Sequence, residues 1–172
     1  MIVRETILPA GSRLTATLRR IDFIDAYEVA LAHAGTSPLN AYAAIFGNEP
    51  AWARWLMKLR GKIVSLFRLA HDFDNGRTLD GDTAGVVPGM RVGPFTVRSV
   101  EPDELIVGDD DRHLDFRISV FRSERNGASF VTVSTAVEIH NFLGEGYMFV
   151  VKPFHRLIAK AMMRRAVAAG RL

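Results

Sequence analysis

Asn126-Gly127 lies between two long runs of alternating apolar and polar residues, and no other local feature constrains the chain as much. Both residues accept positive φ, which a two-residue type I′ hairpin turn requires. That turn fixes a register for strands at 113–122 and 128–140. With Arg125 opposite Ala128, Val120 meets Val133, Ile118 meets Thr135, Phe116 meets Val137 and Leu114 meets Ile139 on one face. The other face is polar: Ser119 meets Ser134, Arg117 meets Ala136, Asp115 meets Glu138 and His113 meets His140. The apolar face is the natural seat for a long helix, and the polar face reads as solvated.

Around this hairpin the period alternates between two and helical. Residues 22–32 carry Tyr27, Val29 and Leu31 at period two, a half-buried strand. Ser37-Pro38 then opens a helix, because serine caps free amides and proline at the first position loses no hydrogen bond. A second helix begins after Asn48, with Trp52, Trp55, Leu56, Leu59, Ile63, Leu66 and Phe67 on one stripe opposite Arg54, Lys58 and Lys62. Residues 72–93, rich in Gly, Asp and Thr, read as a long connection. Short strands are expected at 95–100 and 104–107. The last segment, 146–169, returns to helical spacing, with Tyr147, Val150, Val151, Phe154, Ile158, Ala161 and Met162 on one face. The stripe keeps phase across Pro153, which predicts one long kinked helix. The sum is an α+β fold: an antiparallel sheet wrapped around a long C-terminal helix, with two helices after the first strand.

Composition bounds the function. At 172 residues the chain suits one domain over 1–172, able to bury roughly 70% of its unfolded surface. No apolar run approaches the ~20 residues of a membrane span, and residues 1–6 do not begin an export signal, so a cytoplasmic location is expected. The absence of cysteine excludes disulfides, thiolate metal sites and thiol nucleophiles. Net charge is only +3, yet Lys152, Arg156, Lys160, Arg164, Arg165 and Arg171 crowd the C-terminus. No phosphate loop, dinucleotide fingerprint or nucleophile elbow is present. The basic residues lack the aromatic partners of a nucleic-acid surface, so no nucleic acid is expected.

The polar face of the hairpin carries the chemistry. Two carboxylates directly opposite each other repel, and Arg117, in diagonal reach of Glu138, is the evident mediator. If this face lines a cavity, Asp115, Glu138, His113 and His140 could form an acid/base pair tuned toward neutral pH, with Arg117 orienting an anionic or enolate-like group. The same histidines and carboxylates could ligate zinc or iron, but further ligands are not assured, and neither a metal nor a cofactor is expected. The run Asp109-Asp110-Asp111 reads as a solvated turn. His155, at the edge of the last apolar stripe, reads as a partly buried, hydrogen-bonded residue rather than a catalytic one.

The order of strand, two helices, meander and terminal helix, together with Pro50-Ala-Trp-Ala-Arg-Trp-Leu-Met-Lys-Leu-Arg60, Asp109-Asp-Asp-Arg-His-Leu-Asp-Phe-Arg117, His140-Asn141 and Lys152-Pro-Phe-His-Arg-Leu-Ile158, resembles an uncharacterised bacterial family of the START-like, or SRPBCC, helix-grip superfamily. That superfamily also includes the birch-pollen allergens and polyketide cyclases. The resemblance implies a sheet curled around the last helix and a cavity for a lipid, steroid, polyketide or similar molecule. It also implies a functional link to dinucleotide-binding reductases, to which members of the family occur attached. The superfamily usually has seven strands, whereas five are legible here.

Three functions follow as expectations. The first is a binding module holding an apolar molecule against Trp52, Trp55, Phe116, Tyr147, Val151 and Phe154. The second is a cyclase- or isomerase-like enzyme using Asp115, Glu138 and a histidine. The third is a membrane-surface or partner-binding protein using Lys152, Arg156, Lys160 and Arg164, although membrane contact is not the expected role. The apolar part of the last helix leaves a homodimer open.

Overall fold

The computed structural model describes residues 2–47 and 85–172. Among the described residues, seven strands form one antiparallel sheet in the order β1-β2-β7-β6-β5-β4-β3. They are β1 (Arg4–Thr6), β2 (Phe23–Ala30), β3 (Arg91–Val92), β4 (Phe95–Val100), β5 (Glu104–Asp110), β6 (Leu114–Arg125) and β7 (Ala128–Ile139). The described residues also form the helices α1 (Pro38–Phe46) and α2 (Phe142–Ala168). This is the helix-grip α+β arrangement, and it corrects the expected strand count from five to seven. The two additional strands, β1 and β3, are three and two residues long, too short to show alternation. The strand expected first, at 22–32, is therefore the second. The helix expected after Asn48, with Trp52 and Trp55, lies outside the described residues.

The hairpin has the expected register throughout, from Arg125↔Ala128 to Leu114↔Ile139. Asn126 and Gly127 take φ of 52° and 75°, as the turn requires. Strand β5 runs past the expected end at Val107 to Asp110. Gly108 permits this: its φ is 155°, and a Cβ there would stand 2.1 Å from the carbonyl oxygen of Phe116. Helix α1 is capped as its sequence predicts, with Ser37 Oγ accepting from the Asn40 N–H at 3.1 Å. Its Tyr42 hydroxyl donates to the Val92 carbonyl oxygen at 2.9 Å, tying the helix to β3.

One long helix runs through Pro153, as expected, but it begins at Phe142 instead of 146. Asn141 sets the start, its Oδ1 accepting from the Gly144 N–H at 3.2 Å. The face turned to the sheet also differs from the expected stripe. Met148, Val151, His155, Ile158, Met162, Met163 and Ala166 are the less exposed line, whereas Val150 and Phe154 are about half exposed.

The two faces of the sheet are covered differently. On the helix side Tyr27, Val29, Val97, Val107, Val120 and Val131 pack with Ala41, Tyr42 and Ile45 of α1 and with Met162, Met163 and Ala166 of α2. The opposite face is not simply solvated, as its polar pattern implied. The N-terminal segment crosses it through a short 3-10 turn, Leu14–Thr17, and buries Leu14 against Ile106 and Ala136. Burying a leucine side chain stabilises by about 2 kcal/mol. Beneath this strap Glu104 is fully buried; it accepts from Ser12 Oγ at 2.5 Å, from the Arg13 N–H at 2.8 Å and from Ser119 Oγ at 2.6 Å.

Candidate functional site

Two places in the fold concentrate chemistry, one on each face of the sheet. The first is a cleft of about 460 Å3 on the strap side, lined by Thr17, Leu18, Arg19, Asp110, Asp115, Arg117, Glu138 and His140. Strand alternation explains the convergence. Asp110 on β5, Asp115 and Arg117 on β6 and Glu138 on β7 all point away from the helix, and His140 follows one residue after β7 ends. The end of the strap supplies the remaining wall.

Asp115 and Glu138 are direct partners across the hairpin, as the register predicted. Each has its own support. Asp115 accepts from the Asp111 N–H at 3.1 Å, and its Oδ2 lies 3.3 Å from His140 Nε2. Glu138 accepts from the Arg19 N–H at 2.9 Å and the Arg20 N–H at 3.4 Å. It therefore anchors the strap as well as lining the cleft.

Arg117 does not mediate between these carboxylates. Its guanidinium reaches Asp110 Oδ1 at 2.5 Å and the carbonyl oxygens of Phe116 at 2.9 Å and Asp109 at 3.3 Å. Burial works to push the Asp110 carboxyl up, but the hydrogen bonds and charges of Arg117 and Arg98 outweigh it and hold the group below the ordinary carboxylate range. The expected solvated turn at 109–111 thus provides the arginine's partner, because β5 continues through Gly108. Nearby, the Arg20 hydrogen bond and then the Ile139 N–H depress the Asp22 carboxyl, fixing the chain where the strap joins β2.

His113 does not join the cleft, which corrects the expected pairing of its side chain with His140. Strand β6 starts at Leu114, so alternation no longer governs the preceding residue. The backbone does pair, the His140 N–H donating to the His113 carbonyl oxygen at 2.9 Å. The buried imidazole instead lies edge-on to Tyr147 of α2, 6.1 Å between ring centroids, with Nδ1 3.3 Å from Asp111 Oδ1.

The second place lies between sheet and helix. Phe23, Leu114, Val137 and Met148 form a small apolar cluster apart from the main core, with Phe116, Ile139 and Tyr147 packed on it. Between the two clusters stands a polar group absent from the sequence-based candidates. Buried Asp25 receives the Tyr27 hydroxyl at 3.2 Å, and its Oδ1 lies 3.4 Å from His155 Nε2. The signal was present in the period of β2, where Asp25 shares the face of Tyr27 and Val29, but an acidic residue on an apolar face is read as a break in pattern. Of the residues expected to hold an apolar ligand, Phe116, Tyr147 and Val151 are half-buried here and Phe154 is more exposed; Trp52 and Trp55 lie outside the described residues.

Fold and geometry together define a helix-grip protein with one polar cleft outside the sheet and one apolar interface inside it. The chain matches the family described as "Protein of unknown function (DUF2867)" over residues 17–162. It belongs to that family. No curated protein matches it. Among solved structures it is similar to one titled "Crystal structure of Ara h 8.0201", with 13% sequence identity, a TM-score of 0.39, and coverage of 85% of this chain and 99% of that one. No helix among the described residues is long and apolar enough to cross a membrane.

Proposed function

We propose that the protein binds a small apolar or lipid-like molecule between the sheet and the middle of α2. The observation that carries this reading is how unevenly α2 seals the sheet. Met148 is buried near its start and Met162, Met163 and Ala166 near its end, but no residue from 149 to 161 is buried. Val151, His155 and Ile158 line the sheet side of that stretch at helical spacing and are only half-buried. A stretch of helix with no buried residue over the sheet is what a mostly apolar small-molecule site with few polar groups would require. Phe116 and Tyr147 supply its aromatic walls, and Asp25 with His155 its polar point.

The test is displacement of a fluorescent fatty acid, with native mass spectrometry of gently purified protein alongside. Saturable binding at one site is expected, and Val151→Trp, which fills the space, should abolish it while the protein stays folded. The reading fails if no apolar probe binds, or if the tryptophan variant binds as well as the parent.

The cleft favours a second reading, a cyclase- or isomerase-like acid–base catalyst. Asp115 or Glu138 would take a proton, His140 would return it, and Arg117 or Arg19 would face the developing negative charge. An enolisable ketone incubated with the protein in deuterium oxide should exchange its α-hydrogen, and the double substitution Asp115→Asn with Glu138→Gln should stop the exchange. Exchange no faster than in buffer across a panel of such ketones would count against it.

A further inference from the structure

The cleft sets two carboxylates face to face, and among the described residues no Lys or Arg side chain stands at salt-bridge distance from either; the His140 imidazole lies 3.3 Å from Asp115. Asp115 and Glu138 are direct cross-strand partners, an arrangement in which like charges repel. Arg117 is committed to Asp110 and to two carbonyl oxygens. Arg19 and Arg20 meet Glu138 through backbone N–H groups, and the Arg20 guanidinium pairs with Asp22. Beside the carboxylates stands one imidazole, His140, and one ligand atom from each of Asp115, Glu138 and His140 lies within 4.8 Å of the others. Ligand atoms around one zinc ion at ~2.1 Å stand about 3.4 Å apart, so binding requires shifts of roughly 1 Å. All three side chains retain some exposure and can make that adjustment.

The cleft wall also carries a guanidinium. Arg117 is buried at the cleft wall, its side chain 8% exposed, and its Nε has no hydrogen-bond partner among the described residues. Two carboxylates and an imidazole, with open volume beside them and a guanidinium at the wall, match the pattern of three protein ligands plus an exchangeable position.

We propose that Asp115, Glu138 and His140 bind a divalent first-row metal ion of the zinc class, leaving a coordination position open to water or a small anion on the Arg117 side. The site lies on the face of the sheet opposite the proposed apolar ligand, so the two readings stand or fall separately.

Cobalt(II) is the probe. Tag-free protein is titrated and followed by visible absorption and calorimetry, with zinc as competitor. One ion per chain, new visible bands and displacement by zinc are expected. Asp115→Asn and His140→Ala should each weaken binding by about tenfold or more, since even outer partners of metal ligands contribute that much. His140→Ala should leave metal-free thermal unfolding unchanged, because that side chain is about a third exposed. Glu138→Gln retains an acceptor for the strap amides, so its loss of affinity reports ligation and not unfolding. The proposal is overturned if the parent protein takes up no stoichiometric cobalt, or if the variants bind it as the parent does.

Discussion

The carboxylate of Asp25 on β2 lies 3.4 Å from Nε2 of His155 on α2, and this contact joins the sheet to the least buried stretch of the long helix. Removing the imidazole leaves Asp25 buried with only the Tyr27 hydroxyl, and an under-satisfied buried acceptor costs about 1–3 kcal/mol. His155→Ala should lower the free energy of urea unfolding by that amount. The same group predicts a response to alkali. Burial, and then the charge of Asp25, raise the Tyr27 phenol well above its ordinary value. Above about pH 10 the unfolded chain releases this proton while the folded chain keeps it, so stability falls as pH rises. Tyr27→Phe should flatten that decline in unfolding measurements between pH 9 and 11.

Glu104 predicts how the strap is held. It is fully buried and accepts three hydrogen bonds, two of them from the strap itself. Glu104→Ala should destabilise by about 3 kcal/mol, because three hydrogen bonds are lost and donors are left buried. Hydrogen exchange at the Arg13 amide should accelerate in the same variant. Unchanged protection there would mean that Leu14 packing alone holds the strap.

Asp110 predicts an acid response at the cleft. Its carboxyl is held below the ordinary range against the opposing effect of burial. A depressed folded-state value contributes stability above about pH 4 that is lost as pH falls through that value. Carbon chemical shifts of the Asp110 carboxyl should titrate below those of an unstructured aspartate, and Arg117→Gln should move the midpoint upward. A midpoint indifferent to that substitution would show that Arg98 suffices.

Much of this was legible in the sequence, and the limits have physical reasons. Asn126-Gly127 determined the turn, the turn determined the register, and the register placed Asp115 opposite Glu138. The strap was not legible. Residues 7–20 bury a single leucine through an irregular path, and no period marks such a segment. Gly108 read as the end of β5 because glycine weakens strands, whereas here its missing side chain lets the strand continue beside Phe116. That extension decides the partner of Arg117. His113 fell on the wrong side because alternation was carried one residue beyond the point where the strand begins, and Asp25 was missed because periodicity discounts a carboxylate among valines and tyrosines.

The short flanking strands have a consequence for the protein in a crowded solution. Each margin of the sheet ends in a strand of only two or three residues, while the twelve-residue strands β6 and β7 lie away from the edges. Among the described residues, a neighbouring copy that tried to extend the sheet would meet a rim strand of three residues on one side and of two on the other. The longest and most β-prone segments are paired on both sides over most of their length, so runaway strand addition has little to build on there.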